Sequence, residues 1–236
     1  MLKTISFFIR NYAASYPKRF GTLLALLGVL FLTPDTMIMR LSYLDRWPLM
    51  GWRGVLMGLT LLIIWRYFWV SNKKKEWHSL SSIPGLVVIF SFGINSITFT
   101  LGIQETSVMV VLTALATMPI FAAILSTIFM GESQGLLGWI TIIFAMIGVA
   151  VVVGDGPNAT GHPNGSTALG ALYGAITAFG LALTFTMARK YKELGIVPAA
   201  ALGSLLSGCI GFYFSSYENL FTAPVWTLVA MGVIIL

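Results

Sequence analysis

Asp35 stands in an apolar run, one residue after Pro34 and five before Arg40. An ionised carboxylate within a hydrocarbon-spanning helix costs about 2.5–3.5 kcal/mol on insertion scales, so such a residue needs a partner, a wet cavity or a task. Pro34 removes one backbone N–H and frees a carbonyl about a turn earlier, which makes a helix break beside the acid. One reading is a pore-facing carboxylate at a gate, able to bind a cation or a proton. The other is an interfacial acid paired with Arg40, Arg46 or Arg53. Arg53, just inside the next apolar run, carries a planar fork suited to carboxylate or anionic groups. Its alternative is snorkelling to the headgroups. Asn95, Ser96, Thr98 and Thr100 make one apolar run polar at its middle, and Pro119 interrupts the following one. Such groups line a hydrated path or hydrogen-bond one helix to another. Glu132, in the turn Gly131-Glu132-Ser133-Gln134, reads as a structural carboxylate before a helix N-terminus, with Ser133 as its cap. Glu105 takes a similar turn reading.

Elements of an unusual kind must position these groups. Of 236 residues, 57% are hydrophobic and 9% charged, against about 25% charged in a soluble domain. That composition excludes a soluble enzyme, a nucleic-acid binder and a disordered chain. The net charge of +6 comes from short basic clusters between long uncharged runs. A single cysteine, Cys209, excludes an intrachain disulfide and a Cys-based metal site, and His78 and His162 fall in separate loops. Period-2 alternation is absent, which argues against a β-barrel. The chain is all-α and polytopic. At about 20 residues per crossing, eight spans are expected: 20–39, 51–70, 82–102, 107–130, 135–153, 168–188, 197–215 and 222–236. The last is too short to cross, so the sequence is expected to stop inside a helix.

The positive-inside rule sets an expected orientation. With the N-terminus cytoplasmic, eleven Lys and Arg fall inside and three outside, the three being Arg40, Arg46 and Arg53. Residues 1–19 then form a cytoplasmic interfacial segment, and 154–167 an extracytoplasmic loop. A shift of 149 places Gly21 on Gly170, Leu23 on Leu172 and Arg40 on Arg189; a shift of 150 places Pro48 on Pro198 and Gly58 on Gly208. Five spans separate the copies, so the second is inverted. Inverted repeats are a signature of secondary carriers. The expected units are a first repeat, 20–153, and an incomplete second one, 168–236.

Residues 101–132, LGIQETSVMVVLTALATMPIFAAILSTIFMGE, resemble the span 3–4 region of the EamA-like branch of the drug/metabolite transporter superfamily. The shared features are Thr106-Ser107 opening a helix, Pro119 within it and Gly131-Glu132 closing it. The run GWITIIFAMIGVAVVVG is similar to that branch's fifth helix, WRGVLMGL with Arg53 to the start of its second, and GALYGAITAFGLALTFTMARKY to the start of its second repeat. The resemblance implies ten helices in two inverted five-helix repeats, with spans nine and ten and part of eight absent here. Thr33-Pro34-Asp35-Thr36 departs from the usual aromatic and small residues of span 1, so no substrate is carried over.

These readings give an expected multi-pass protein of the cell (inner) membrane that moves a small metabolite by alternating access, export being one admissible direction. The candidate path or gate is Asp35, Arg53, Asn95, Thr98 and Pro119, with an ion pair among Asp35, Arg40 and Arg53. Its partners are the lipid bilayer and a small-molecule substrate, with a homodimer as a candidate assembly. Neither nucleic acid, cofactor nor metal is called for, and no nucleophile, base or ATP-binding motif marks an enzyme. The alternative is a non-transporting membrane subunit or an inactive fragment.

Overall fold

The computed structural model describes residues 21–23, 26, 28, 30, 34–67, 73–132, 135–154, 166–220 and 222–234. The expected interfacial segment 1–19, most of the 154–167 loop and the Ser133 cap lie outside them. The described residues form helices and connecting turns, with no strand among them. Among the described residues, five helices are long and apolar enough to cross a membrane.

Helix α1 (Asp35–Leu41) is the far end of the first expected span, and Pro34 stands at its N-cap. Helix α2 (Arg46–Tyr67) starts five residues before the expected boundary. Leu49 N–H donates to the Asp45 carbonyl at 3.1 Å, and Pro48 falls in the first turn, where its missing N–H has no helical acceptor to lose. Arg53 therefore lies two turns inside α2, not at its mouth as expected. A short basic helix, α3 (Lys73–Ser79), leads to α4 (Ile83–Glu105), which Ser82 caps by accepting from Gly85 N–H.

The fourth span, Val108–Met130, is one crossing interrupted midway, where α5 (Val108–Leu115) and α6 (Met118–Met130) meet at a turn at Ala116-Thr117. Pro119 is the cause. It has no N–H for the Leu115 carbonyl, and its ring takes the space that bond would occupy. Gly131, at φ +69°, ends α6 in the left-handed conformation that glycine adopts without strain. Then come α7 (Leu136–Gly154), α8 (Thr167–Lys190), α9 (Ile196–Tyr213), a 3-10 turn (Tyr217–Asn219) and α10 (Val225–Ile234).

Small residues bring the long helices close. A Cβ on Gly54 would lie 2.5 Å from the Gly208 nitrogen, and one on Gly58 2.9 Å from the Ala201 carbonyl oxygen; Gly51 meets Gly211. The order 51, 54, 58 against 211, 208, 201 makes α2 and α9 antiparallel. These are the two stretches that the 150-residue shift superposes. Helix α4 runs antiparallel to α8, with Ser91 and Asn95 against Gly180, Thr98 bonded to Thr177 at 2.8 Å and Gly102 against Tyr173. It runs parallel to α9, with Gly93 beside Gly203 and Ser207 donating to Ser96 at 2.8 Å. Without bulk apolar driving force between helices in lipid, such close backbone approach and hydroxyl pairs hold the bundle.

The bundle has two ends of different character. The Asp45 end joins α1–α2, α4–α5 and α9–α10, and encloses Met39, Leu49, Ile103, Val111 and Met231. The Lys75 end joins α2–α4, α6–α7 and α8–α9. Of the basic residues, Arg66, Lys74, Lys75, Arg189, Lys190 and Lys192 stand at the second end, and Arg40, Arg46 and Arg53 towards the first.

Candidate functional site: a buried ionic layer and the polar stripe beneath it

Asp35 opens α1 and faces α2. Its Oδ2 accepts from Arg53 Nη2 at 2.9 Å, with the two side chains only 8% and 11% exposed. Arg53 is seven residues inside α2, so at 1.5 Å per residue the pair lies about 10 Å below the Asp45 end. The Phe99 ring, six residues from the end of α4, stacks against the Arg53 guanidinium at 5.2 Å. A desolvated cation–π contact of this kind contributes about 2 kcal/mol. Among the described residues, Asp35 Oδ1 and Arg53 Nε have no hydrogen-bond partner. One acceptor and one donor are thus held dry beside an existing ion pair. An unsatisfied buried polar atom costs about 1–3 kcal/mol, so this layer is held together at a penalty that water or a polar guest would relieve.

Arg40, the other expected partner, is elsewhere. Five residues from Asp35 places it about 140° around a helix of 3.6 residues per turn. Its Nη2 donates to the Ile103 carbonyl at 3.2 Å and the Thr106 carbonyl at 2.6 Å. Arg40 therefore satisfies the last carbonyls of α4, where the helix dipole also favours a cation. Arg46 pairs with Glu105 at 3.8 Å, and Glu105 also accepts from Ser166 N–H at 3.4 Å. Gln104 donates to the Leu44 carbonyl, Asn219 to Asp45 and Trp52 Nε1 to the Leu220 carbonyl. Trp47 packs on Phe214 and Trp52 on Phe212. The Asp45 end is thus tied across by bonds from every loop described there.

Asn95 lies one turn below Phe99 on α4, buried, with Oδ1 lacking a partner among the described residues. Thr98 bonds Thr177 across to α8 and also donates within its own helix to Ile94. The structure therefore uses Thr98 and Ser96 as inter-helix bonds, and leaves Asn95 with unused hydrogen-bonding capacity. Pro119 is exposed at the α5–α6 break, away from the ionic layer and on a groove towards the Lys75 end. Glu132 is not confined to its own turn: its carboxylate pairs with Arg189 of α8 at 3.0 Å, and its carbonyl accepts from Thr127 Oγ1. At the same end Lys75 pairs with Glu193 at 2.7 Å, with both side chains more than half exposed.

Sequence reasoning missed Phe99, Thr177 and the capping role of Arg40. Thr177 had a signal, because it continues the Gly170, Gly174 stripe by three residues on the face that meets α4. Arg40 had none, since its acceptors are backbone carbonyls.

A helical bundle with buried polar stripes, small-residue contacts and a sparse ionic layer is that of a polytopic membrane protein, of a kind suited to moving solutes. The family model of the EamA-like transporter family matches residues 7–154, and the chain belongs to that family. It is a membrane transporter of the drug/metabolite type. No curated protein and no solved structure matches the chain.

Proposed function

We propose that the chain is a secondary carrier that moves a small metabolite across the cell membrane by alternating access, with Asp35 and Arg53 as the gate near its Asp45 end. The Asp35–Arg53 pair carries this reading. It is nearly dry, about 10 Å deep, beside the Pro34 turn, and short of two hydrogen bonds. Unpaired acceptor and donor capacity suits a gate, because water or a polar substrate supplies the missing bonds when the helices part. Asn95 lies one turn deeper and offers the next polar contact on the path, with Thr98 and Thr177 beside it.

Two further observations support the reading. The superposable stretches in α2 and α9 run antiparallel against one another, as two inverted repeats would, with the second beginning near residue 168. The basic residues concentrate at the Lys75 end, which is the cytoplasmic side by the positive-inside rule, together with the N-terminus. The Asp45 end is then external and closed, while the two salt bridges described at the cytoplasmic end are exposed and weak, at about 0–1 kcal/mol each. The carrier uses neither a cofactor nor a reaction step.

Cells expressing the full chain test this by metabolite profiling of medium and cytosol. At least one small polar metabolite should redistribute with saturable kinetics, and Asp35→Asn should reduce that flux at least tenfold at equal membrane abundance. Unchanged profiles with well-folded protein would refute the carrier reading; equal flux by Asp35→Asn would refute the gate alone.

A further inference from the structure

A groove of about 440 Å³ lies between α6, α7 and α8, apart from the ionic layer. Pro119 marks one end; Ser126, Thr141 and Phe185 line its length; Met130 and Arg189 stand at the other. From Pro119 to Met130 is eleven residues of helix, about 16 Å at 1.5 Å per residue. Half of a hydrocarbon core of about 30 Å is close to that length. The groove therefore runs from about the bilayer middle to the Lys75-side headgroups, the depth of one leaflet.

Its chemistry fits a hydrocarbon chain and not a polar solute. Ser126 Oγ donates to the Ala123 carbonyl, Thr141 Oγ1 to Leu137 and Thr186 Oγ1 to Ala182. Each hydroxyl proton is spent on its own helix, and the groove walls are mostly carbon. The outer wall, α7, leaves Ile143, Phe144 and Ile147 exposed to the surrounding lipid. The mouth is cationic. Arg189 gives Nη2 to Glu132, which occupies part of a five-donor guanidinium. Lys190 follows it, held over the Phe129 ring at 5.6 Å, and Lys192 is exposed nearby. With Lys75 and Glu193 counted beside them, four cations face two carboxylates at headgroup depth, an excess of positive charge.

We propose that this groove holds an acyl chain of an anionic phospholipid, whose phosphate seats on Arg189 and Lys190. Each basic residue near such a surface strengthens binding several-fold, so the two together favour an anionic over a zwitterionic headgroup by about tenfold or more.

Native mass spectrometry of the purified full chain tests this, with phosphatidylglycerol and phosphatidylcholine of identical chains and with inorganic phosphate. One equivalent of phosphatidylglycerol should survive at least tenfold longer dilution than phosphatidylcholine. Arg189→Gln with Lys190→Gln should remove that preference. Ala122→Trp, which fills the groove, should remove retention of both lipids, and Thr141→Trp from the facing helix should do the same if the first variant folds poorly. Equal retention of the two lipids by the unaltered protein overturns the headgroup assignment. Retention undiminished by both tryptophans overturns the groove assignment. Phosphate binding without lipid retention means an adventitious ion only, and a lipid-free dimer means that a second copy covers the groove; either overturns the proposal.

Discussion

Asp35→Asn is expected to destabilise the folded protein by about 3–5 kcal/mol, the usual cost of stripping a buried ion of its partner. Arg53 would stay 11% exposed with its charge uncompensated, and Phe99 would be its remaining contact. Arg53→Met alone should cost a similar amount, now through the stranded carboxylate. The double replacement Asp35→Leu with Arg53→Met should recover most of that loss, because apolar residues of like volume replace buried pairs at little cost or at a gain. Transport should stay lost in the double variant, since a gate without ionic groups has nothing to exchange with water or substrate. Unfolding in detergent reads the first quantity and metabolite flux the second. Recovered stability together with recovered flux would reduce the pair to a structural tie.

Gly54→Leu is expected to abolish the folded state, and Gly54→Ala to cost about 1–3 kcal/mol, the range for overpacking a tight contact. The obstacle is backbone. A Cβ on Gly54 would fall 2.5 Å from the Gly208 nitrogen and 2.6 Å from the Ser204 oxygen, and neither can rotate aside. Helices α2 and α9 must then separate along the whole Gly51–Gly58 face, which is also the contact between the two stretches that the 150-residue shift superposes. Gly148→Ala in α7 is the control, because nothing lies within 4 Å of its added Cβ. It should stabilise the protein by about 0.5–1 kcal/mol, the usual gain of alanine over glycine inside a helix. Equal effects at the two positions would mean that α2 and α9 do not touch as described.

The helical, membrane-spanning architecture was legible because hydrocarbon demands long uncharged runs, and charges partition this chain cleanly. The break at Pro119 was legible: the run was expected to be interrupted there, and α5 and α6 meet at a turn just before it within one crossing. The start of α2 was misplaced because Arg46-Trp47-Pro48 reads as a polar mouth, whereas Pro48 suits a helix's first turn. That shift of five residues is what puts Arg53 level with Asp35. Three arginines were open as partners, and the choice rests on helical phase and depth, neither of which shows in composition. Thr98 and Asn95 stood out as polar in an apolar run, but only the approach of α8 tells a bonded hydroxyl from an amide with capacity to spare. The α6–α7–α8 groove left no mark in the sequence, since its lining is ordinary apolar and small-residue texture.

Thiol labelling at Asn95 tests the gate most directly. With the exposed Cys209 replaced by alanine, Asn95→Cys places one reporter a turn below Phe99, beneath the Asp35–Arg53 pair. A membrane-impermeant maleimide added to intact cells should label it slowly while the pair is present, and at least tenfold faster when Asp35→Asn is added. Rapid labelling with the pair intact, or the same slow rate in both, would contradict a gate at Asp35 and Arg53.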